Sequence, residues 1–229
     1  SAAPMKMPTT APTPLTTRRE HPTKGDRTAA AILAAAEDLF AEKGYDGTTL
    51  RDVADRVGIR IPSLYNHFES KEALYGAVLE RGLGPILELL SSVVAEARAS
   101  EAPWPPEPRP IVEAMLAVLD ARPQLPRLLL RETLAGGTRL SPELRDWIAP
   151  IFERAGEAAA RGVDEARFGA DQVTHLVLAI YHVVVGYYAI APFYKQLGGH
   201  DLLSEEARER QARFVADLVE NLFSPNTSR

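Results

Sequence analysis

Cysteine is absent from this sequence of 229 residues. Without it the chain has no disulfide framework, no thiol nucleophile and no thiolate metal site, which agrees with a reducing, cytoplasmic location. An uninterrupted apolar run of about 20 residues, the length that spans a bilayer, is missing too. The most apolar stretch, Val173 to Phe193, contains His175, His182 and Gly186. We therefore expect a buried helix there and no membrane partner.

An excess of positive charge, the usual mark of a nucleic-acid binder, is also lacking. The 26 lysines and arginines are outnumbered by 31 aspartates and glutamates, for a net charge of −5. Basic side chains do gather locally: between Arg56 and Lys71 the cations include Arg60, and Glu69 is the only acid. Any affinity for nucleic acid must therefore come from where these charges lie.

Strict alternation of apolar and polar residues, the pattern of half-buried strands, is lacking as well. Segments rich in alanine and leucine, with glycine and proline at their ends, predict an all-α fold. The fourth and fifth helices are expected to separate at Gly82 and Gly84-Pro85. Expected helices cover about 27–43, 48–57, 59–68, 70–81, a fifth that ends near 99, then 111–121, 123–135, 141–161, 170–194 and 204–223.

The segment from Thr48 to Lys71 predicts a pair of short helices that cross at a wide angle. Ala54 is small enough for close approach, and Gly58, four residues later, allows the chain to turn. The second helix of such a pair can enter the major groove of DNA, which is wide enough to admit it. The side chains expected to face outward on this helix are Arg60, Pro62, Ser63, Tyr65, Asn66 and His67.

These residue types can divide the work of reading bases and holding phosphates. Arg60 can bind the edge of guanine and Asn66 that of adenine, each with two hydrogen bonds, and serine can serve either base. Tyr65 and His67 are better suited to phosphate oxygens. Backbone amides at the start of the second helix offer another phosphate site. The side chains expected to join in these outer phosphate contacts are Thr48, Thr49 and Lys71.

The stretch GYDGTTLRDVADRVGIRIPSLYNHFESKEALY resembles the DNA-binding module of TetR-type repressors. The likeness rests on glycines at fixed spacing, an aromatic-rich third helix and a lysine that leads the fourth, and it covers about residues 27–81. The sequence departs from the family's usual pattern at Ile61-Pro62, where small polar residues are commoner. Proline is tolerated at a first turn, but it removes a hydrogen-bond donor.

This resemblance implies a three-helix helix-turn-helix DNA-binding domain at 25–70. The residues before it are expected to form a disordered arm at 1–24, because the stretch from Ser1 to Thr17 is rich in proline and carries only Lys6 as a charge. The resemblance also implies a C-terminal helical ligand-binding and dimerisation domain at 71–229. The implied function is that of a ligand-responsive transcriptional regulator, and specifically a repressor. A homodimer would hold a pseudo-palindromic operator in double-stranded DNA and release it when a small hydrophobic or aromatic effector binds. No cofactor, metal or catalytic residue is expected.

Candidate dimer and effector residues lie in the C-terminal half. The helix before the last is apolar nearly all round, with His175 and Ala179 on one face and Val177 and Tyr181 on the opposite one. Either face could line a pocket while the other meets the partner. The last helix carries an apolar stripe that serves either as dimer interface or as internal core, namely Phe214, Val215, Leu218, Val219 and Leu222. Candidate effector contacts are Met115, Trp147, Phe152, His175, Tyr181 and His182.

Two other classes of function are left open by the residues alone. A helical enzyme or a metal-responsive regulator could use His175 and His182, which lie seven residues apart on one helix face. The chain has no HExxH motif, no glycine-rich phosphate loop and no GxSxG nucleophile elbow, and no third metal ligand is obvious. We therefore favour the DNA-binding regulator over both alternatives.

Overall fold

The computed structural model describes residues 23–99, 108–142, 144–146, 148–149 and 172–223, and every regular element in these ranges is a helix. The all-α expectation is confirmed. A further helical segment follows Ser141, with its described residues between 142 and 149. The helices are α1 (Lys24–Lys43), α2 (Leu50–Val57), α3 (Ile61–Tyr65), α4 (Lys71–Ala99), α5 (Pro108–Ala121), α6 (Leu125–Leu134), α7 (Val173–Gln196) and α8 (Glu205–Phe223).

The first helix begins earlier than expected because Thr23 and Asp26 form a capping box. The Thr23 hydroxyl accepts a hydrogen bond from the Asp26 amide at 3.1 Å, and the Asp26 carboxylate accepts one from the Thr23 amide at 2.9 Å. The helix ends at Gly44, whose φ of 77° suits glycine and strains other residues. The disordered arm expected at 1–24 lies outside the described residues, except for Thr23 and Lys24, which start this helix.

A turn between α2 and α3 lies where the sequence predicts one. Gly58 adopts a left-handed conformation, with φ 76° and ψ 31°, and the Ile59 amide donates to the Ala54 carbonyl at 3.0 Å. Ala54 itself is 1% exposed, which fits its expected role at a close contact between helices. The third helix is shorter than expected, because it ends at Tyr65 and residues 66 and 67 form a turn before Phe68.

The helix break expected at Gly82 and Gly84-Pro85 is wrong, because α4 runs through these residues. Gly82 instead allows α6 to approach closely, since a Cβ there would lie 2.5 Å from Leu125 Cδ1. Pro85 removes one helical hydrogen bond, but Leu83 and Ile86 are buried on either side of it. Their burial stabilises the helix across the proline, so α4 is one continuous helix that joins the two halves of the chain.

Two clusters of buried side chains form the core. The first cluster contains residues of the four helices α1, α2, α3 and α4 and a few from the C-terminal half. The second consists mainly of residues of α5, α7 and α8. Leu64 in α3 and Leu74 in α4 are fully buried in the first cluster. Because Leu83 belongs to the first cluster and Ile86 to the second, α4 ties the clusters together. We refer to residues 24–79 as the N-terminal module and to the described residues of 108–223 as the C-terminal body.

Candidate nucleic-acid interface

The third helix is anchored by one apolar residue and exposes polar ones. Leu64 is 0% exposed and packs in the first core cluster, whereas Tyr65 is 51% exposed. Arg60, Pro62 and Asn66 are also exposed. The other two residues expected to face outward, which are half-buried, are Ser63 and His67. The structure therefore brings all six predicted residues to one short segment, with the most accessible ones at its start and end.

The proline in the first turn of α3 does not disturb the helix. The amides of Ser63 and Leu64 donate to the Arg60 carbonyl at 2.9 and 3.3 Å, so the turn closes around Pro62. Arg60 is the N-cap residue, and its side chain makes no capping hydrogen bond. Arg60 is exposed there, and its role in reading a base stays a prediction.

The predicted phosphate contact of the Thr48 hydroxyl is wrong. Thr48 is 0% exposed, and its hydroxyl lies 3.1 Å from the Leu39 carbonyl oxygen and 2.8 Å from that of Gly44. A buried hydroxyl needs such partners, because an unpaired polar group is costly inside a protein. Thr48 thus joins the end of α1 to the start of α2 and takes no part in the surface.

Thr49 is exposed, but its amide and its hydroxyl already donate hydrogen bonds to Asp52. The Asp52 carboxylate accepts hydrogen bonds from the Thr49 hydroxyl at 2.7 Å and from the Thr49 amide at 2.8 Å, while the same hydroxyl accepts one from the Asp52 amide. These bonds, the side-chain bond first, lower the pKa of Asp52. A phosphate at the start of α2 would therefore have to compete with an ionised carboxylate.

The start of α4 presents a cation beside the third helix. Ser70 caps this helix, since its hydroxyl accepts a hydrogen bond from the Ala73 amide at 3.0 Å. Lys71 follows the cap, and its Nζ lies 4.2 Å from the centre of the Tyr45 ring. The Tyr45 hydroxyl donates to Glu72 Oε1 at 2.5 Å. Burial, and then this hydrogen bond, raise the pKa of Tyr45 to about 12, so its hydroxyl stays protonated at neutral pH.

Three arginines of the C-terminal body contact the N-terminal module. Each belongs to α6 or to a turn beside it, and each meets an acceptor on α1 or the turn that follows α1. The pairs are Arg122 with the Glu37 carboxylate at 3.2 Å, Arg131 with the Glu42 carbonyl at 3.2 Å, and Arg139 with the Asp46 carboxylate at 3.0 Å. α6 is thus attached along the helix that supports α2 and α3.

A buried hydrogen bond adds a further connection between the halves. The Tyr75 hydroxyl donates to Glu132 Oε2 at 2.9 Å, and Glu132 is 4% exposed. Burial, and then the negative charge of Glu132, raise the pKa of Tyr75 well above its ordinary value. Beside this contact lies an open cleft of about 530 Å³, whose walls include Glu69 and Glu80. Its acidic lining contains none of the predicted effector contacts.

Four of the six predicted effector contacts, Met115, His175, Tyr181 and His182, lie in the described part of the chain. Met115 is half-buried on the second core cluster, and the Tyr181 hydroxyl lies 2.9 Å from that of Thr133. His175 and His182 are exposed in the single chain, and the His182 ring meets the Tyr181 ring edge-on with the ring centres 5.2 Å apart, so their role as effector contacts stays a prediction. The two remaining candidates, which lie outside the described residues, are Trp147 and Phe152.

The metal alternative finds no support at these histidines. Among the described residues no group of three or more histidine, aspartate or glutamate side chains could hold a metal ion. The Nδ1 atom of His182 lies 2.7 Å from the Leu178 carbonyl oxygen of its own helix, which uses one ring nitrogen for a local contact.

The seventh helix buries one face and exposes the other. Val184 and Tyr188 are buried in the second core cluster, whereas Ala179 is exposed, so within the single chain this helix is covered on one side, and cover of the other side by a partner stays a prediction. By length and composition alone, Thr174–Gln196 would also suffice to cross a membrane, a weak indication that core helices share. In the described chain, six of the eight exposed large apolar residues belong to α7, the turn after it, or α8: Leu178, Ile190, Phe193, Tyr194, Leu197 and Phe214.

The predicted dimer stripe on α8 is divided between surface and core. Phe214 is 57% exposed, whereas Val215 is 0% and Val219 is 8% exposed. The two valines pack against residues of α5 and α7 inside the chain, so their prediction as interface residues is wrong. Leu218 and Leu222 are half-buried. A stripe at helical spacing cannot by itself tell a neighbouring helix of the same chain from a partner chain.

The sequence did not predict a role at this interface for two residues, Tyr45 and Arg139. Tyr45 lies in the glycine-flanked turn after α1, next to the predicted phosphate contact Lys71, so its position in the motif offered a signal. Arg139 offered none, because it meets Asp46 across 93 residues of sequence. Both are central to how the two halves of the chain meet.

Comparison with known proteins agrees with this geometry. The family model described as bacterial regulatory proteins, tetR family, matches residues 32–78. The model described as tetracyclin repressor-like, C-terminal domain, matches residues 109–219. The HTH-type transcriptional regulator RutR of Escherichia coli (strain K12) is 30% identical over 175 residues, which cover 76% of this chain and 80% of that protein.

Two further proteins illustrate the range of the similarity. The HTH-type transcriptional repressor Rv3405c of Mycobacterium tuberculosis is 44% identical over 79 residues, which cover 34% of this chain and 42% of that protein. The solved structure of a tetR-family regulatory protein from Rhodococcus RHA1 has a TM-score of 0.59 at 22% identity and covers 86% of this chain and 97% of its own, which shows the shared fold. The chain belongs to the TetR family of helix-turn-helix transcriptional regulators.

Proposed function

We propose that this regulator is a homodimeric repressor that holds a pseudo-palindromic operator with two copies of α3. The surface of α3 carries the proposal: Arg60 and Asn66 are exposed, while Leu64 anchors the helix in the core. A helix that is buried on one side and polar on the other suits the major groove, where side chains reach base edges. Two-fold symmetry then requires two half-sites about one helical turn, or a multiple of it, apart.

Reading and holding fall to different residues in this proposal. Arg60 and Asn66 read guanine and adenine through paired hydrogen bonds, and the carbon atoms of Pro62 suit the methyl group of thymine. Tyr65 and Lys71 hold phosphates, which position the protein without reading sequence. We leave Thr48 and Thr49 out, since the first is buried and the second is bonded to Asp52. The half-buried residues that complete the contact set are Ser63 and His67.

The second subunit covers the exposed face of α7. Leu178 is 40% and Phe193 60% exposed, and Phe214 on α8 is 57% exposed. Exposed apolar side chains of this kind favour association, because covering them removes apolar area from water. Ala179 leaves room there for a partner helix to approach closely. A second copy of the chain is the occupant that a two-fold operator requires.

The effector is expected to be apolar, because the helices of the C-terminal body pack through leucine, valine and tyrosine side chains, which would line a pocket between them. Tyr181 and Met115 remain candidate contacts, because both lie on half-buried sides of their helices. The Thr133 and Tyr181 hydroxyls offer polar groups of the kind that orient a ligand in an apolar pocket. Effector binding weakens DNA binding by shifting the two α3 helices relative to each other. Linkage then requires that the effector bind more weakly to the DNA-bound protein.

Selection from random DNA duplexes tests the central claim. The full chain is used to enrich duplexes, and the enriched sequence is footprinted while sedimentation gives the stoichiometry. We expect a pseudo-palindrome protected by one dimer. The variant Arg60→Ala with Asn66→Ala serves as a control, which should lose the preference but keep weak salt-dependent binding. An asymmetric half-site, or tight binding by a monomer, would contradict the proposal.

A calorimetric titration tests the effector claim separately. Hydrophobic and aromatic compounds are screened by the shift that they cause in thermal unfolding, and each compound that binds is titrated with and without the enriched duplex. A compound that releases DNA must bind the DNA complex more weakly by the same factor. Equal affinity in both titrations would show that the compound is not coupled to DNA binding.

A further inference from the structure

The turn after α6, residues 135–140, brings an arginine of the C-terminal body against the N-terminal module. The Arg139 guanidinium donates to Asp46 Oδ2 at 3.0 Å and lies 4.7 Å from the centre of the Tyr45 ring. Lys71 Nζ lies 4.2 Å from the centre of the same ring. Two cations from the two halves of the chain therefore share one aromatic ring, and one of them is the proposed phosphate contact.

The Tyr45 ring is a fixed platform because other groups hold it. It stacks on Phe40 with the ring centres 5.9 Å apart, and Tyr75 meets it edge-on at 5.0 Å. Its hydroxyl is engaged by Glu72. A cation is attracted to the face of such a ring. Because the ring itself is held in place, its position sets where the lysine and the arginine lie. Displacing one cation therefore changes the electric field at the other.

Arg139 is attached firmly to α6. Its amide donates to Glu132 Oε1 at 2.9 Å, and the other oxygen of this buried carboxylate accepts the hydrogen bond from Tyr75. Gly136 and Gly137 have φ values of 75° and 69°, a turn conformation that glycine adopts without strain. The backbone of Arg139 is thus tied to α6 both through this turn and through the Glu132 carboxylate.

Asp46 explains why a cation at position 139 matters for Lys71. The Asp46 side chain is 85% exposed, and its carboxylate is neutralised by Arg139. Such an exposed ion pair adds little to stability, so its role is better sought in the charge that it cancels. Without Arg139, a free carboxylate would remain beside the ring on which Lys71 rests. It would attract the ammonium group and repel a DNA phosphate.

We infer that Arg139 is a positioning residue for DNA binding, which neutralises Asp46 and packs on Tyr45 so that Lys71 stays free to bind phosphate. The turn after α6 is then a further connection, besides α4 and the contacts of Arg122 and Arg131 with α1, through which the body acts on the DNA-binding surface. This inference rests on the proposed function, in which Lys71 contacts DNA.

A double-mutant cycle tests the inference with the full chain and the enriched duplex. Arg139→Gln removes the charge, Lys71→Gln removes the phosphate contact, and the double variant combines them. We expect Arg139→Gln to weaken DNA binding about threefold to tenfold alone, but less than about twofold in the Lys71→Gln background, because neighbouring residues that act together are not additive. Arg139→Lys, which keeps the charge, should restore most of the affinity.

Salt dependence separates positioning from a merely structural role. The plot of log K against log salt has a negative slope, and loss of one phosphate contact makes it shallower by about 0.9. Arg139→Gln should therefore flatten the slope as Lys71→Gln does. Arg127→Gln is the matched control, since Arg127 lies on α6, before the turn that carries Arg139, and its side chain bonds to Gln124 in the same half of the chain. It should change neither affinity nor slope. Thermal unfolding of each variant shows whether the fold is kept.

Three results would overturn the inference. If the double variant loses DNA affinity by the product of the two single losses, Arg139 acts independently of Lys71. If Arg139→Gln binds DNA with unchanged affinity, Arg139 does not act on DNA binding at all. A lower affinity with an unchanged slope would also overturn the inference, because the phosphate contact would then be intact. If Lys71→Gln itself leaves the slope unchanged, or no duplex is enriched, the proposed function fails first and the inference fails with it.

Discussion

The surfaces of α3 and α7 differ in what they expose. On α3 and its capping residues Arg60 and Asn66, the exposed side chains are polar or cationic apart from Pro62 and the ring of Tyr65, and the apolar Leu64 is buried. On α7 the exposed side chains include Ile190 and Phe193. The first surface is well solvated before it meets a partner, whereas the second gains free energy only when another apolar surface covers it. We therefore expect DNA binding to be reversible and salt-dependent, and subunit pairing to be the more permanent contact.

The largest effect is expected beneath α3 rather than on its surface. Leu64→Ala leaves a cavity at a residue that is 0% exposed, so it should lower the free energy of unfolding by about 2–5 kcal/mol. Tyr65→Ala, one residue away, is the control and should change stability far less, because its side chain is 51% exposed. Denaturant unfolding measures both. Equal losses would mean that α3 is not held through Leu64.

The next effect tests the apolar surface. Ala179→Trp places a large ring on the exposed face of α7, where it should split the dimer and lower operator affinity by about a hundredfold, since two linked half-sites bind far better than one. Ala114→Trp, at an exposed alanine of α5, is the matched control and should leave a dimer. Sedimentation and DNA titration are read together. A dimer that survives with an intact operator complex would place the interface elsewhere.

Loss of a base-reading side chain should lower operator affinity less than loss of the dimer interface does, and the size of the loss should depend on the DNA sequence. Arg60→Ala or Asn66→Ala is expected to cost about 1–3 kcal/mol against the best operator and to relax preference at particular base pairs. Tyr65→Phe and Lys71→Ala should instead weaken binding to operator and random DNA alike, with a flatter salt dependence. Titration of each variant with both duplexes makes the comparison. Equal losses on both duplexes for all four variants would contradict this division of roles.

The N-terminal module was predicted well because its signals are local. Gly44 and Gly58 both adopt positive φ where a stop was expected, and the outward residues of α3 follow from helical spacing once Leu64 is buried. The error at Thr48 arose because adjacent threonines both fit the position before a helix. The pair Thr49 and Asp52, three residues apart, carries the capping-box pattern that identifies the true cap.

The C-terminal body was predicted less well because its decisive contacts are remote in sequence. Burial beside Pro85 overrides a local helix-breaking signal, and an apolar stripe on α8 divides into the exposed Phe214 and the buried Val215. The pairing of Arg139 with Asp46 leaves no periodic trace at all. Periodicity reports that a face is covered, but it does not report which chain or element covers it.

The smallest effect concerns the acid at the start of α2. Asp52→Asn keeps a side chain that can accept the Thr49 hydrogen bonds but removes the negative charge that would repel a phosphate there. We expect operator and random DNA to bind about twofold to threefold more tightly at low salt, in line with the modest energy of exposed charge interactions. Asp38→Asn, at an exposed residue in α1, makes the same change of net charge away from any helix start. It should have little effect, because Asp38 is not among the predicted DNA contacts and salt weakens the action of exposed charges at a distance. Tighter binding by both variants would mean that net charge alone is at work, and weaker binding by Asp52→Asn would mean that the capping box matters more than the charge.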